Sequence, residues 1–427
     1  MAGGSGMTIA ASILFLTYAV IITEKFNKAI IALLGASLMI YAGILSQEQA
    51  VDGVDFNTIG LLTGMMIIVA ISQRTGMFQY IAIKSVKLVK GEPWWILVML
   101  SLLTAMASAL LDNVTTVLLI VPITLLITDE LKINPYPFLF MQIFASNIGG
   151  TATLIGDPPN IMIGSAAKLT FMDFIINVAP IIPVIIIATI IPIKFIFGRQ
   201  MIVDERLRLG IMRFDEKEAI KDIRLLKKSL FVLSIVTIGF IFQRQLHLEP
   251  ATIAMAGAAI LLMISGEDIH QTFEKVEWVT IFFFVGLFIV VTGVEKTGLI
   301  KLMAEKMMTM TGGDMVVTAF VITWLSAVMS AVIDNIPFVA TMIPMIKDMG
   351  EILGSQEAIK PLWWALSLGA CLGGNGSVIG ASANVIVAGI ADRSGYPIKF
   401  LEFMKLAFPL MLLSILISWI YIYLRYF

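Results

Sequence analysis

"SALLDNVTTVLLIVPI" runs from Ser108 to Ile123, and "SAVIDNIPFVATMIPM" runs from Ser330 to Met345. Each places an Asp-Asn pair, Asp112-Asn113 and Asp334-Asn335, inside a run otherwise suited to lipid. The two runs belong to a longer register. Gly35, Thr58, Gly76, Asp112 and Pro122 meet Gly257, Thr280, Gly298, Asp334 and Pro344 at a constant offset of 222 residues. After a slip of two, Gly149, Gly150, Ile155, Gly156 and Asn160 meet Gly373, Gly374, Ile379, Gly380 and Asn384. Chance does not hold two such registers, so the chain is a duplication.

Composition places both copies in a bilayer. Of 427 residues, 59% are hydrophobic and only 14% charged, with a mean hydropathy of +0.95. A soluble domain carries about 25% charge. Apolar runs long enough to span a membrane recur from Thr8 onward, so an all-α polytopic membrane protein is expected. The net charge of −1 gives no field for nucleic acid. A single cysteine, Cys371, excludes an internal disulfide and a thiolate metal cluster. His247 and His270 fall in expected loops without partners at metal-ligand spacing. The opening "MAGGSG", residues 1–6, reads as an expression scar.

Topology follows from lengths and charges. Trp94 to Thr128 is short for two full crossings and a turn, so it reads as a re-entrant hairpin with Asp112-Asn113 at its tip. Each half then has five spanning helices, one of them broken, plus the hairpin. An odd number of crossings makes the second copy inverted. Gly76 to Lys90, carrying Lys84, Lys87 and Lys90, reads as a helix along the interface. Of 29 Lys and Arg, nine lie between Arg199 and Lys228. With both termini outside, 21 of the 29 fall inside and 8 outside, as the positive-inside rule requires. The expected layout is repeat 1 over 7–198, a cytoplasmic connector over 199–228 and repeat 2 over 229–427.

Four interruptions carry the chemistry: Asp112-Asn113, Ser146 to Asn160, Asp334-Asn335, and Gly373 to Asn384. Irregular backbone at membrane depth survives only where it is buried in protein or lines a wet cavity. Gly149, Gly150, Gly373 and Gly374 allow unwinding, and "DPPN" at 157–160 cannot continue a helix. Helix N-termini attract anions, whereas freed carbonyls and C-termini attract cations. Two tips meeting two broken helices make one site at mid-membrane. Asp can also act as a plain helix cap, worth ~1 kcal/mol, but a charge at bilayer depth costs ~2.5–3.5 kcal/mol. Asp157 has no acidic counterpart, since position 381 is Ala; it is either a proton carrier or the turn residue before Pro158. No Lys or Arg lies in the four motifs. The carboxylates Asp112, Asp157 and Asp334 favour Na⁺ or H⁺ as one transported species, and neutral solutes rich in hydrogen-bonding groups stay open.

"LDNVTTVLLIVPIT", "SNIGGTATLIGDPPNIMI" and "GACLGGNGSVIGASANVIVAGIA" resemble the ArsB/NhaD-type permeases of the ion transporter superfamily. The similarity is nearest to the branch of the melanosomal P protein and extends more distantly to citrate and dicarboxylate/sodium symporters. It covers the chain from Thr8. It implies a homodimer with scaffold segments at 7–91 and 229–313. The transport segments, 92–198 and 314–427, would move as an elevator. By position it implies that Asp112, Asn113, Thr115, Thr116, Asp334 and Asn335 ligate ions at the tips, with Na⁺ at Asp112, Asn113, Asp334 and Asn335. Ser146, Asn147, Gly149, Gly150, Thr151, Asp157 and Asn160 would line the first broken helix. Gly373, Gly374, Asn375, Ser377, Ser382 and Asn384 would line the second. The dicarboxylate carriers have a Ser-Asn-Thr tip where this chain has Asp-Asn twice, which separates it from them.

The leading expectation is a secondary active transporter moving a small inorganic ion or oxyacid, such as arsenite or Na⁺, with or against H⁺ or Na⁺. Citrate, dicarboxylate or other anion symport, and an anion channel on the same fold, are the alternatives. Nothing resembles a nucleotide-binding loop, and no cofactor beyond the coupling ion is implied. An intramembrane aspartyl protease would need a GxGD motif that is not there, so no enzyme is expected. The partners are the solute, membrane lipid and a second copy of the chain, and short loops point to a prokaryotic inner membrane.

Overall fold

The computed structural model describes residues 2–427, with side chains from residue 5. Met1 of the opening six residues lies outside the described residues, and Ala2 to Gly6 extend the first helix. All regular structure among the described residues is helical. Eight helices there are long and apolar enough to cross a membrane, joined by two shorter apolar ones, Lys28–Tyr41 and Pro250–Ser265. The protein is a polytopic all-α membrane protein.

The principal helices of the first half are α1 (Ala2–Ile22), α2 (Lys28–Tyr41), α3 (Phe56–Gln73), α4 (Met77–Leu88), α5 (Pro93–Leu110), α6 (Asn113–Glu130), α7 (Tyr136–Thr151), α8 (Pro158–Ala167) and α9 (Ile182–Phe197). The second half repeats the order as α10 (Ile223–Ile241), α11 (Pro250–Ser265), α12 (Trp278–Lys296), α13 (Leu299–Met310), α14 (Met315–Val332), α15 (Asn335–Ile352), α16 (Lys360–Gly373), α17 (Ser382–Arg393) and α18 (Phe400–Tyr426). Local chemistry repeats with it. Gly76 and Gly298, both left-handed at φ 76° and 80°, open α4 and α13. Proline at N1 opens α5, α8 and α11, where a missing N–H costs nothing.

A two-fold relation shows in the packing. A Cβ on Gly64 of α3 would lie 2.7 Å from the carbonyl carbon of Ala254 in α11, and one on Gly286 of α12 would lie 2.6 Å from that of Ala32 in α2. These are one contact made twice, with the halves exchanged. Gly53, just ahead of α3, sits against Thr292 near the end of α12, so the equivalent helices α3 and α12 run in opposite directions. The second copy is inverted.

The connector fixes one face. Lys221 N–H donates to the Thr75 carbonyl at 3.0 Å, beside the end of α3. Arg208 pairs with Glu92 at 3.1 Å, at the start of α5, and Gly210 lies against Glu130 at the end of α6. Lys87 pairs with Glu216 at 2.6 Å, and this ammonium holds the Glu216 carboxyl below the usual carboxylate range. Both ends of the first hairpin, α5–α6, therefore open on the connector's face. Asn57, at the start of α3, bonds Ser165 near the end of α8 at 3.2 Å, so α7 and α8 together cross to the other face. Tyr396, beyond α17, bonds Asp129 of α6 at 2.8 Å. The pair α16–α17 thus runs the opposite way, and the second hairpin, α14–α15, opens opposite the connector.

One expectation is corrected. Gly149 and Gly150 lie within regular helix, as does Gly373, while Gly374 begins a single 3₁₀ turn. The unwound segments are 152–157 and 377–381. The glycines serve close approach instead: a Cβ on Gly149 would collide with the Ala105 backbone of α5, and one on Gly373 with Ala327 of α14. Gly149→Ala and Gly373→Ala are each expected to cost about 1–3 kcal/mol by overpacking. Gly389→Ala, a helical site meeting only the Arg393 guanidinium at 3.9 Å, is the control expected to hold or gain stability. Thermal unfolding in detergent reads all three.

Candidate functional site

The two tips and the two broken helices meet. Asp112 caps α6, its Oδ1 accepting from Thr115 N–H at 2.7 Å and its Oδ2 from the Thr115 hydroxyl at 2.5 Å. Asn113 Nδ2 donates to Asn147 Oδ1 at 3.0 Å and to Asp157 Oδ1 at 3.2 Å. Asn147 Nδ2 then crosses to the other repeat, donating to Asn375 Oδ1 and Asn384 Oδ1, both at 2.9 Å. In the reverse direction, Asn160 Oδ1 accepts from Ser367 Oγ at 2.7 Å and from Cys371 Sγ at 3.5 Å. Cys371 occupies the position equivalent to Asn147.

Each broken helix is tied by the same bonds. Asn160 Nδ2 donates to the Thr151 and Thr153 carbonyls at 3.0 and 2.9 Å, and Asn384 Nδ2 to those of Gly374 and Ser377 at 2.7 and 2.8 Å. The hairpins are clamped likewise, Ser108 donating to the Ser146 carbonyl at 2.6 Å and Ser330 to that of Ala370 at 2.7 Å. The hydroxyls of Ser146, Thr151 and Ser377 bond backbone carbonyls. With Gly149, Gly150, Gly373 and Gly374 they hold the break together and do not line the cavity beneath the tips.

That cavity, about 20 Å³, is lined by Asp112, Asn113, Asp157, Glu277, Thr280, Asn335 and Ser382. Its size suits one water or one small ion. Around it, Thr116 Oγ1, Asp157 Oδ2, Asn335 Nδ2 and Asn375 Nδ2 are buried without a hydrogen-bond partner. Buried polar groups are ordinarily paired; of these, Asp157 and Asn335 line the cavity and can offer their unpaired atoms to cargo, whereas Thr116 and Asn375 do not reach its wall. Thr115 serves only as a cap partner here.

A vestibule of about 500 Å³ adjoins the cavity, sharing Val114, Glu277, Thr280 and Ser382 with it and adding Glu24, Asn27, Lys28 and Asp334. Since α12 runs against α3, its first turn and Glu277 lie on the connector's side, and the vestibule opens there. Burial pushes the Glu24 carboxyl, just past α1, above the usual range, and Asp334 adds to the rise. The cavity at the opposite face, about 360 Å³, is lined by Asp55, Lys168, Glu295 and Lys347 and by neither tip.

Two residues were missed in the motifs. Glu277 is the repeat partner of Asp55, and each accepts from a hydroxyl one turn on: Thr280 at 3.1 Å and Thr58 at 2.6 Å. The 222-residue register could have found it. Lys28 opens α2, and its ammonium lies 3.0 Å from Asp334 Oδ2 and 2.6 Å from Ser382 Oγ. It has no repeat partner, because position 250 is Pro. A cation does reach the motifs, from a helix some 300 residues away in the chain. His247 and His270 are exposed, and Cys371 is buried.

The citrate transporter family profile matches residues 18–369. The chain belongs to that family. It is 44% identical over 423 residues to an uncharacterized transporter of Mycobacterium tuberculosis (strain ATCC 25618 / H37Rv), covering 98% of each chain. It is 42% identical over 422 residues to the 46 kDa membrane protein of Mycobacterium leprae, again covering 98% of both. The P protein of Homo sapiens is 33% identical over 500 residues, which take in 97% of this chain and 59% of that one. The crystal structure of the YdaH transporter from Alcanivorax borkumensis superposes with a TM-score of 0.59 over 87% of this chain and 86% of that one, at 15% identity. This family membership bears out the resemblance read from the motifs, and the chain is a multi-pass membrane transporter.

Proposed function

We propose that this member of the family is a secondary active transporter whose coupling ion, H⁺ or Na⁺, binds at the two tips, among Asp112, Asn113, Asp157, Glu277 and Asn335 of the small cavity and Asp334 where the vestibule meets it, and whose cargo is a small inorganic ion or oxyacid. The observation that carries this reading is the convergence of two tips from opposite faces on one ion-sized cavity lined by three acids. Paired acids at membrane depth mark ion pathways, because an isolated charge there is costly. The unwound segments 152–157 and 377–381 add backbone carbonyls, the usual complement for a monovalent cation at a broken helix. A vestibule on one face reaching the tips, and a cavity on the other that stops short of them, is the asymmetry that alternating access requires.

Anion symport is the second reading. The Lys28 ammonium in a vestibule of about 500 Å³, within the 300–1,000 Å³ range of small-molecule sites, favours it. On either reading 92–198 and 314–427 move as an elevator against 7–91 and 229–313. Two chains pair through those scaffolds, the connector 199–228 faces the cytoplasm of a prokaryotic cell, and both termini lie outside.

Reconstitution with an internal pH-sensitive dye tests it, adding Na⁺, arsenite, chloride and citrate in turn. The expected result is a dye response that saturates with one solute and reverses with the imposed gradient. Flux that grows without saturation and ignores the gradient would make the protein a channel.

A further inference from the structure

The two tips are not chemically equivalent, and the difference has a consequence for how an ion is held. Asp112 is satisfied locally, since the Thr115 amide and hydroxyl together engage both carboxylate oxygens. The repeat partner of Thr115 is Pro337, which has neither a hydroxyl nor an N–H. Asp334 therefore keeps only a long cap bond, from Ile336 N–H to Oδ1 at 3.2 Å. Its Oδ2 is taken by donors from elsewhere: Lys28 Nζ at 3.0 Å and Ser382 Oγ at 3.0 Å. Ser382 stands where the other half has Pro158, and Lys28 where it has Pro250. At three positions around Asp334, proline in one half is exchanged for a residue that can donate, or the reverse. The result is a carboxylate held to its own helix by one long bond and paired with an ammonium from another.

We infer that Lys28 is a tethered counter-ion that occupies Asp334 when no cation is bound, so that the coupling cation binds Asp334 by displacing the Lys28 ammonium. This rests on the proposed ion-coupled function and assigns it a device. The ammonium is suited to exchange. Its stem is flexible, it faces the vestibule with its side chain 25% exposed, and in the same position it lies over the Phe283 ring, 4.9 Å from the centroid, a cation–π contact that does not depend on Asp334. Glu24 and Glu277 line the same vestibule, and Asp112 and Asp157 lie beyond it in the small cavity. These four acids are the other titratable groups facing the pair. Lys28 belongs to the segment read as scaffold and Asp334 to the segment read as mobile. The pair latches the arrangement open toward the connector, and cation binding releases the latch.

The test is a binding measurement on the full chain in detergent, so it succeeds or fails independently of transport. Thermal unfolding is followed against NaCl with choline chloride holding ionic strength. Lys28→Gln removes the competitor and is expected to lower the half-saturating Na⁺ by roughly tenfold, the factor a charged hydrogen bond of ordinary strength represents. Lys28→Arg, which keeps the charge, is expected to stay near the parent. In an Asp334→Asn background the shift is expected to vanish. The inference is overturned if Lys28→Gln leaves the half-saturating Na⁺ unchanged, or if the shift survives Asp334→Asn.

Discussion

Asp334→Asn is expected to lower coupled uptake into proteoliposomes by about 10–100-fold, the cost of losing one charged hydrogen bond at a binding site, while the protein folds and inserts as before. Asn caps a helix about as well as Asp, so the cap bond to Ile336 is kept. Only the charge facing Lys28 and the vestibule is lost. Asp112→Asn is expected to act in the same way, since Asn can still accept from the Thr115 amide while a negative charge leaves the cavity wall. A carboxylate at this depth costs ~2.5–3.5 kcal/mol, whereas a cap returns ~1 kcal/mol. Ser or Thr would cap without the penalty, so the excess needs a use. Gel filtration and circular dichroism check the fold, and uptake with a dye readout checks the function. Unchanged uptake in both variants would return both residues to capping.

How far the residues foretold this arrangement depends on the scale of the signal. The duplication was readable because register is linear information: a fixed offset pairs Gly64 with Gly286 and Ala32 with Ala254 as surely as it pairs Asp112 with Asp334. Inversion followed from counting crossings, and the antiparallel course of α3 and α12 agrees. The glycine pair was misread because glycine serves two purposes, unwinding and close approach, and only the position of Ala105 and Ala327 decides between them. Thr115 is an ion ligand only by the resemblance; what the structure adds is that its hydroxyl, three residues after the N-cap, bonds Asp112 Oδ2. Lys28 was invisible for a different reason. Motif reading searches near the motif, and this ammonium arrives from the start of α2 by tertiary packing. The hint lay in the mismatches: Pro250 opposite Lys28, Pro337 opposite Thr115 and Pro158 opposite Ser382 all break symmetry around one carboxylate.

Asn147→Ala is expected to be the most damaging single truncation at the crossing of the two broken helices, at about 3 kcal/mol or more. Each buried partner left without its bond costs ~1–3 kcal/mol, and coupled neighbours do not add simply. Asn147 is fully buried and satisfies three side chains at once: Asn113 through its oxygen, Asn375 and Asn384 through its nitrogen. Without it, Asn375 loses the bond to its Oδ1 while its Nδ2 already has no partner. Asn384 keeps its bonds to the Gly374 and Ser377 carbonyls, so the second break stays tied locally. The damage therefore falls chiefly on the joint between halves, with one bond, to Asn113, lost inside the first half. Asn147→Cys separates these effects, because the other half already uses a thiol in this place: Cys371 Sγ donates weakly to Asn160 Oδ1 at 3.5 Å. A cysteine at 147 should recover the contact to Asn384 but not those to Asn113 and Asn375, and its unfolding midpoint should lie between those of the parent and Asn147→Ala. If Asn147→Ala unfolds at the parent's temperature and transports at the parent's rate, the amide crossing is not what joins the two copies, and the cavity must be held by the hairpin clamps of Ser108 and Ser330 alone.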